Sequence, residues 1–182
     1  MFSPMWKCIF LVLALASPAH ADFFAALRAP GTHLVMRHAL APGTGDPPGF
    51  QVRDCDSQRN LDQRGRAQAR AIGAALRETG LAFDQVLSSQ WCRCLETARL
   101  LDLGPVQAFP VLNSFFGNRA TGPDQTRDLR SFLDGLDGRA ILVTHQVNIT
   151  ALTGRAVRSG EVFAIRAGPS GVEVLGSLTL PP

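Results

Sequence analysis

LVMRHALAPG, at residues 34–43, is a run of branched and long apolar residues that ends abruptly on an arginine and a histidine. Small and turn-forming residues follow at once, from Ala39 to Gly43. A short apolar run that is bounded by turn residues predicts a buried β-strand. The sequence therefore places Arg37 and His38 at the carboxyl end of a predicted strand.

Segments of the same kind recur along the chain, and helical stretches lie between most of them. Strands are predicted at residues 33–38, 85–89, 106–112, 140–145, 161–167 and 172–180. Helices are predicted at residues 62–79, 91–101, 124–136 and 146–152. Alternation at this spacing is typical of an α/β fold, here a three-layer α/β/α sandwich with a mostly parallel central sheet.

The first 21 residues have the layout of a secretory signal peptide. One positive charge, Lys7, precedes the apolar run IFLVLALA, and the segment closes on the small-residue ending AHA. The apolar run is too short to span a bilayer. We therefore expect cleavage before Asp22, a periplasmic or secreted protein without stable membrane insertion, and a single domain over residues 22–182. The alternative is an anchor that stays uncleaved.

Charge is nearly balanced in the rest of the chain. Lys7 is the only lysine, so residues 22–182 carry 17 arginines against 15 acidic residues, and the arginines are scattered. A nucleic-acid-binding surface is expected to show a basic stripe instead. We therefore expect no nucleic-acid partner.

Three cysteines, Cys55, Cys92 and Cys94, follow the predicted signal peptide. In an oxidising compartment, an odd number of cysteines suggests one disulfide and one buried or free thiol. A Cys-x-Cys pair forms a poor internal disulfide, and the spaced partners of a zinc site are absent from the sequence. A disulfide from Cys55 to Cys92 or Cys94 is therefore expected, with Cys55–Cys92 as the candidate pair. The alternative is three ordinary buried residues.

Polar residues end three of the predicted strands. The three pairs are Arg37-His38, Ser88-Ser89 and Thr144-His145. Arg93 lies four residues after Ser89, about one turn into the next helix, so its side chain can lean back towards the same edge. In open α/β sheets, ligands bind beyond the carboxyl ends of the strands. The sequence therefore predicts a site at this edge of the sheet.

Two arginines and two histidines at one edge form a pocket for an anion. Guanidinium groups bind phosphate oxygens with a planar fork, and the first amides of the helix after His145, from Gln146 onward, add further donors. Neutral imidazole is nucleophilic at ordinary pH, so a histidine in such a pocket can accept a phosphoryl group. The residues therefore indicate phosphoryl transfer as well as phosphate binding.

Four stretches of the sequence resemble, in the same order, the signatures of the histidine phosphatase (phosphoglycerate mutase-like) superfamily. They are LVMRHA, RNLDQRGRAQARAIG, SSQWCRCLETA and VTHQVN, and together they span most of residues 33–152. The layout is most similar to that of the small exported bacterial members, which include enzymes that act on phosphorylated lipopolysaccharide core heptose.

The resemblance implies a phosphomonoester hydrolase with a covalent phosphohistidine intermediate on His38. Arg37, Arg93 and His145 would bind the phosphoryl oxygens, with Gln146 beside them. A small phosphorylated substrate is expected, either a sugar phosphate or a cell-envelope phosphate, and neither a cofactor nor a metal ion. The alternative function is a catalytically weak protein of the same fold that binds phosphate groups.

The sequence departs from the family pattern at two points. The family's RHG is here Arg37-His38-Ala39, which requires an ordinary backbone dihedral at Ala39. Many members carry a general-acid glutamate after the third strand, whereas the stretch VLNSFFGN has no carboxylate here.

An acid from a loop is expected to compensate for the missing glutamate. We expect this acid to be Asp54 or Asp56, because a disulfide at Cys55 would hold both near Arg93. The other candidates are Asp46 and Asp124.

Finer expectations concern individual side chains. Glu96 is expected to orient Arg93 as a helix neighbour, and His33 is expected at the surface. Trp91, Phe115 and Phe116 either wall a substrate cleft or belong to the core. The helix at residues 62–79 is expected to bury Ala67, Ala71, Ile72, Ala74 and Ala75.

Overall fold

The computed structural model describes residues 18–182, with side chains from Asp22 onward. Most of the predicted signal peptide lies outside the described residues. The helices are α1 Pro18–Arg28, α2 Gln63–Arg77, α3 Cys92–Leu101, α4 Gly122–Asp134 and α5 Gln146–Thr153. The strands are β1 His33–Arg37, β2 Gln85–Ser88, β3 Val106–Ala108, β4 Ala140–Thr144, β5 Val162–Gly168 and β6 Gly171–Leu178.

The six strands form one sheet in the order β3-β2-β4-β1-β5-β6. The pairings β1 with β4, β2 with β4 and β2 with β3 are parallel, whereas β5 pairs antiparallel with both β1 and β6. The expected, mostly parallel α/β sheet is therefore confirmed, with an antiparallel hairpin at one edge. Strands β2, β4 and β1 are neighbours, so their carboxyl ends lie side by side.

Helices cover both faces of the sheet. Leu34 and Met36 of β1 face the core under α1, α2 and α3, and Val35 between them faces the core under α4 and α5. This alternation follows from the two-residue period of a strand. Residues buried on both faces explain why LVM in β1 and ILV in β4 are continuous apolar runs. The two cores confirm the three-layer sandwich.

Two elements differ from the sequence prediction. Strand β3 ends at Ala108, and Pro110–Leu112 forms a short 3-10 turn instead of continuing the strand. Proline has no backbone N–H to donate to a ladder, which limits the edge strand. Helix α1 was not predicted, and its Phe23 and Leu27 are fully buried. Helix α1 therefore runs across the expected cleavage point before Asp22.

The prediction for the buried face of α2 was partly wrong: Ile72 is fully buried, as expected, and Ala74 and Ala75 are half-buried, but Ala67 and Ala71 are exposed. The helix instead presents two glycines to its neighbours. A Cβ on Gly65 would overlap the carbonyl of Leu40, and one on Gly73 would overlap that of Leu101. Close approach of the backbone therefore selects this face together with the burial of Ile72 and Leu76.

Gln68 is a buried polar side chain on the same face of α2. Its Oε1 accepts a hydrogen bond from the backbone N–H of Leu40 at 3.0 Å, and its Nε2 donates to the carbonyls of Ser159 and Leu180 at 3.1 and 2.8 Å. These bonds satisfy the buried amide and tie the segment after β1 to the C-terminal segment.

His33 is buried, with 3% of its surface exposed, so the prediction of a surface position was wrong. Its Nδ1 faces the backbone N–H of Ala140 at 3.4 Å. Burial, reinforced by the charge of Arg139, lowers the pKa of His33. His33 is the first residue of β1, which lies inside the sheet, and this central position explains the burial of its side chain.

Candidate active site

The carboxyl ends of β1, β2 and β4 meet at one edge of the sheet. The backbone N–H of His38 donates to the carbonyl of Thr144 at 3.0 Å, and the N–H of Ser89 donates to the carbonyl of Val143 at 3.0 Å. The ladder of backbone hydrogen bonds thus continues one residue beyond β1 and one residue beyond β2. This continuation fixes the positions from which the side chains of His38, Ser89 and His145 leave the sheet.

The ring of His38 is held in one orientation. It is almost fully buried, with 2% of its surface exposed, and its Nδ1 lies 2.8 Å from the carbonyl oxygen of Ala39. A carbonyl only accepts, so Nδ1 carries the proton and Nε2 keeps its lone pair. The Nε of Arg93 donates to that Nε2 at 3.2 Å. An unprotonated ring nitrogen in a neutral imidazole is what a nucleophile requires.

The backbone after His38 is also fixed. The N–H of Ala39 donates to Oγ1 of Thr97 at 3.1 Å, and the Thr97 hydroxyl donates to the carbonyl of Arg93 at 2.7 Å. Among the described residues, Asp102 is the only non-glycine residue with a positive φ, so Ala39 has an ordinary dihedral, as expected. Thr97 thereby links the segment carrying His38 to the helix carrying Arg93.

Arg93 lies at the centre of the site and is paired with Asp46. Its Nη1 and Nη2 donate to the two carboxylate oxygens at 2.6 and 3.1 Å, and both side chains are more than nine-tenths buried. Nε1 of Trp91 and the N–H of Arg59 also donate to Asp46, at 3.0 and 3.1 Å. With both Nη groups held, the Nε–H of Arg93 points at His38.

Two further arginines complete the cationic cluster. The buried Nε of Arg37 has no hydrogen-bond partner among the described residues, and its Nη1 donates to the carbonyl of Val157 at 3.3 Å. Arg59 donates from Nε to the carbonyl of Gly45 at 2.7 Å and from Nη1 to that of Ala41. A buried N–H without a partner is costly, and both Arg37 and Arg59 line the cavity beside His38.

His145 closes the other side of the pocket. Its Nε2 lies 2.8 Å from the hydroxyl of Ser89 and 3.5 Å from the thiol of Cys94. The Ser89 hydroxyl also lies 3.3 Å from Oδ1 of Asn113. The ring centres of His38 and His145 are 5.6 Å apart. His145 immediately precedes α5, so the unpaired amides of the first turn of that helix lie beside it.

The environment keeps both histidines neutral and Asp46 ionised. Burial, reinforced by the positive charge of Arg93, lowers the pKa of His38 well below 6.5, and burial and nearby positive charge do the same for the pKa of His145. Burial alone would raise the pKa of Asp46, but the hydrogen bonds and charge of Arg93 outweigh burial and lower it. Three arginines and one carboxylate thus give a cluster with a net charge of about +2, which complements a phosphate dianion.

These side chains line a cavity of about 490 Å³. This volume is in the range of sites for small organic ligands, about 300–1,000 Å³. The inner part holds the charged cluster around His38. The outer part is lined by residues of the segment after β3 and of α5, namely Ser114, Phe115, Phe116, Arg119, Gln146, Val147, Thr150 and Ala151.

The model of the histidine phosphatase superfamily (branch 1) matches residues 34–126, just over half of the chain. The chain belongs to this superfamily. The match includes the segments that carry Arg37, His38 and Arg93.

Solved structures of histidine phosphatases and related proteins share the fold at low sequence identity. The protein histidine phosphatase SixA, complexed with tungstate, has a TM-score of 0.59 at 13% identity, covering 81% of this chain and 96% of that one. Phosphoglycerate mutase from Thermus thermophilus has a TM-score of 0.57 at 21% identity, covering 82% of this chain and 99% of that one.

A curated relative is the serine/threonine-protein phosphatase Pgam5, mitochondrial, from Drosophila virilis. It is 42% identical over 52 residues, which are 29% of this chain and 18% of the relative. The matched stretch thus spans less than a fifth of the relative's length.

The structure does not bring the expected loop acids to the pocket. Asp54 and Asp56 are exposed, and Asp54 accepts a hydrogen bond from the N–H of Asp56, capping a 3-10 turn. Neither residue lines the cavity, and Asp124 is exposed and pairs with Arg127 on α4. The prediction of Asp54 or Asp56 was therefore wrong, because the disulfide fixes this part of the loop at a different surface from the part that carries Asp46.

Other side chains also differ from their expected roles. Glu96 pairs with Arg66 of α2 at 2.6 Å rather than with Arg93. Asp46 holds Arg93 instead, from a loop that lies far away in the sequence. Arg59 was missed as a pocket residue, since the sequence offers no signal beyond its place at the front of the stretch RNLDQRG. The contact of Ser89 with His145 was missed as well.

Within residues 18–182, no group of three or more histidine, cysteine, aspartate or glutamate side chains has the arrangement of a metal site. Likewise, none of the helices in this range is long and apolar enough to cross a membrane.

The disulfide joins Cys55 to Cys92, the candidate pair, with a Cα–Cα distance of 5.6 Å. Cys94 is a free, buried thiol, and burial raises its pKa to about 12, so it has little thiolate character. Cys92 is the first residue of α3 and precedes Arg93, and its N–H donates to Oε1 of Gln58 at 3.0 Å. The disulfide thus anchors the loop after β1 beside the helix that carries Arg93.

We expect the double substitution Cys55→Ser and Cys92→Ser to lower the free energy of unfolding by about 3–4 kcal/mol, because it frees a loop of 37 residues in the unfolded chain. Urea unfolding of oxidised wild type and of the variant measures this difference. Reductant should destabilise the wild type and leave the variant unchanged. Equal unfolding midpoints for the oxidised wild type and the variant would contradict the expected role of the bridge.

We expect Arg93→Lys to lower kcat/KM about 10²–10³-fold, the usual effect of removing a positioned donor at a reacting centre. A lysine ammonium cannot bind both oxygens of Asp46 and also donate to Nε2 of His38. Steady-state kinetics on an aryl phosphate measure the loss. The matched control is Arg127→Lys on the exposed face of α4, for which activity should be unchanged. A loss below about threefold would argue against a role of the Arg93 guanidinium group in catalysis.

We expect stability to fall as the pH is lowered from about 7.5 to about 5. His33, His38 and His145 have folded-state pKa values below 6.5, so the unfolded chain binds more protons in this window, and stability is lost as the pH falls. Urea unfolding at several pH values measures the slope. Replacing His38 with glutamine should reduce the slope. A flat profile across this window would show that the buried histidines do not have lowered pKa values.

Proposed function

We propose that this protein is an exported phosphomonoester hydrolase that works through a phosphohistidine intermediate on His38. The observation that carries the proposal is the orientation of the His38 ring. Its protonated Nδ1 is held by the carbonyl of Ala39, and its Nε2 lone pair lies beside Arg93 in a cationic pocket. Relatives named as phosphatases and a phosphoglycerate mutase, all of which handle phosphoryl groups, support this chemistry.

The reaction proceeds in two displacements. Nε2 of His38 attacks the phosphorus atom, a P–N bond forms, and the ester oxygen leaves with the electron pair of the P–O bond. Water then attacks the phosphorus atom, the P–N bond breaks, and inorganic phosphate is released as the imidazole regains its lone pair. Nδ1–H stays bonded to the carbonyl of Ala39 throughout, which stabilises the charge on the phosphorylated ring.

The cationic cluster stabilises the phosphoryl group during transfer. The side chains of Arg37, Arg93 and His145 line the cavity around His38. The first amides of α5, at Gln146 and Val147, add donors for an oxygen that is directed towards the helix. These groups are fixed before the substrate arrives, as electrostatic stabilisation of a transferring phosphoryl group requires.

Export is proposed from the sequence, with support from the disulfide. The first 21 residues have the layout of a cleavable signal peptide, and structural disulfides persist in oxidising compartments such as the periplasm. The Cys55–Cys92 bridge ties together the two segments that build the pocket. The substrate that we propose is a small phosphorylated molecule, in keeping with a cavity of about 490 Å³.

Hydrolysis of a chromogenic aryl phosphate by the oxidised protein tests the proposal. We expect turnover that is competitively inhibited by tungstate and unchanged by EDTA, because three arginines supply the positive charge. Tungstate binding without any turnover would overturn the hydrolase and favour the alternative function, a weak phosphate-binding protein. That alternative has one observation in its favour, since the only carboxylate among the described residues that line the pocket is Asp46, which Arg93 holds. Turnover lost in EDTA and restored by a divalent ion would contradict the metal-free mechanism.

A further inference from the structure

Phe116 is an exposed aromatic side chain at the outer part of the pocket. It is 50% exposed, and it is the one large hydrophobic side chain with such exposure in the part of the chain that the structure describes. Its neighbour Phe115 is buried, with its ring packed against Gly122 at the start of α4. Phe115 thus anchors the segment, while Phe116 is left at the cavity. A single exposed apolar side chain is ordinary, but Phe116 lines a pocket of the size of a small-ligand site, where it provides apolar surface for a ligand.

The segment that carries Phe116 is rigidly attached at its base. The carbonyl of Asn113 accepts hydrogen bonds from Nδ2 of Asn148 and Nε2 of Gln125, at 2.8 and 2.5 Å. Oδ1 of the Asn113 side chain accepts a hydrogen bond from the backbone N–H of Gln90 at 2.9 Å. These bonds join the segment to α4, to α5 and to the end of β2. Phe116, which we call the aromatic wall, is therefore part of the pocket before a ligand binds.

Arg119 lies over the ring of Phe116, with its guanidinium carbon 5.3 Å from the ring centre. It lines the same cavity and makes no salt bridge within residues 18–182. Val147 and Ala151, one turn apart on α5, add apolar surface to the pocket. The outer part of the pocket thus offers flat apolar surface together with one positive charge that has no acidic partner in that range.

Among the described residues that line the pocket, none has a carboxyl group free to protonate a basic leaving group. Of the described residues that line it, Asp46 is the only one with a carboxylate, and the arginines hold it ionised. An alkoxide leaves slowly without a general acid, whereas a phenolate needs little protonation. The aromatic wall and the missing acid thus point to the same type of leaving group.

We infer that the preferred substrates are phosphate monoesters of phenols whose ring carries an acidic substituent. The phosphoryl group binds at His38, the ring stacks on Phe116, and the acidic substituent reaches Arg119. This inference rests on the proposed function and specifies its substrate class. Phe116 and Arg119 are then specificity-determining residues that bind the leaving group.

Kinetics on three esters test the stacking: phenyl phosphate, 4-carboxyphenyl phosphate and glycerol phosphate. Phe116→Ala should lower kcat/KM about tenfold for both aryl esters, mainly through a higher KM, which is the usual size of an aromatic contact. The value for glycerol phosphate should change less than about twofold. Phe116→Tyr should retain the aryl activity. Equal losses on aryl and alkyl esters, or no loss on either, would overturn the inference.

The charge is tested by Arg119→Gln, with Arg127→Gln on α4 as the matched control. Arg119→Gln should lower kcat/KM for 4-carboxyphenyl phosphate about fivefold more than for phenyl phosphate, and this difference should disappear at high salt. Loss on both aryl esters alike would overturn the role of Arg119.

The same assays on His38→Ala separate a failure of the proposed function from a failure of the inferred substrate class. Turnover that persists without His38 overturns the proposed function, whereas His38-dependent turnover that is indifferent to Phe116 overturns only the aryl site.

Discussion

Replacing His38 with alanine is expected to lower kcat for an aryl phosphate at least about 10⁴-fold, because the variant has no atom to accept the phosphoryl group. Arg37, Arg93 and His145 remain, so the variant should still bind inorganic phosphate or tungstate. Steady-state kinetics measure the loss of turnover, and calorimetric titration with tungstate measures the binding that remains.

The fold should survive this substitution. His38 is buried, but it lines a pocket that is open to solvent, so water can occupy the space that the ring leaves. Circular dichroism and urea unfolding check this point, and His38→Gln provides a variant of similar size. Turnover near the wild-type level in either variant would exclude His38 as the nucleophile. Loss of both turnover and tungstate binding in a folded variant would show instead that His38 organises the pocket.

The second large effect concerns the leaving group. With no free acid among the described residues of the pocket, the departing oxygen carries almost a full negative charge in the transition state, so the rate should fall steeply as the leaving group becomes more basic. General acid catalysis is typically worth about 10²–10⁴-fold, and alkyl phosphates should therefore be hydrolysed slower than aryl phosphates by at least about 10²-fold. A series of esters with graded leaving-group pKa values measures the slope.

Three variants separate the candidate acids in this experiment. Asp54→Asn and Asp56→Asn should leave the slope and the rate unchanged, because both residues lie outside the pocket lining. Asp46→Asn should lower the rate for every ester to a similar extent, because its effect acts through Arg93. A shallow slope in the wild type that becomes steep in Asp46→Asn would contradict this and identify Asp46 as the general acid.

The sequence was sufficient to predict which strand-end side chains meet at one pocket. Residues that end three apolar strands project from one edge of a parallel sheet, and this alone brought Arg37, His38 and His145 together. Arg93 followed from helical geometry, one turn after Ser89. These inferences rest on local periodicity and on sheet topology, which short stretches of sequence encode well.

The sequence was not sufficient to choose between the loop acids. Asp46, Asp54 and Asp56 are the same residue type and lie within one loop after β1, so the local sequence does not distinguish them. The choice depends on which part of the loop reaches Arg93. That is decided by contacts between distant residues, such as the bond from Trp91 to Asp46 and the bridge from Cys55 to Cys92.

The face of α2 was mispredicted for a related reason. Counting apolar residues favoured the alanines, but the helix approaches its neighbours through Gly65 and Gly73, where backbone atoms leave no room for a side chain. Close contact between backbones depends on the partner as much as on the helix itself. The periodicity of apolar residues within α2 therefore does not predict this backbone contact.

Trapping the covalent intermediate tests the central claim most directly. The oxidised enzyme is mixed with an aryl phosphate that carries a radioactive phosphoryl group, quenched at alkaline pH within milliseconds, digested, and its peptides mapped. We predict an acid-labile label on the peptide that contains His38, attached at Nε2 and absent from His38→Ala. Label on His145 or on a serine, or turnover without any labelled His38, would contradict the account.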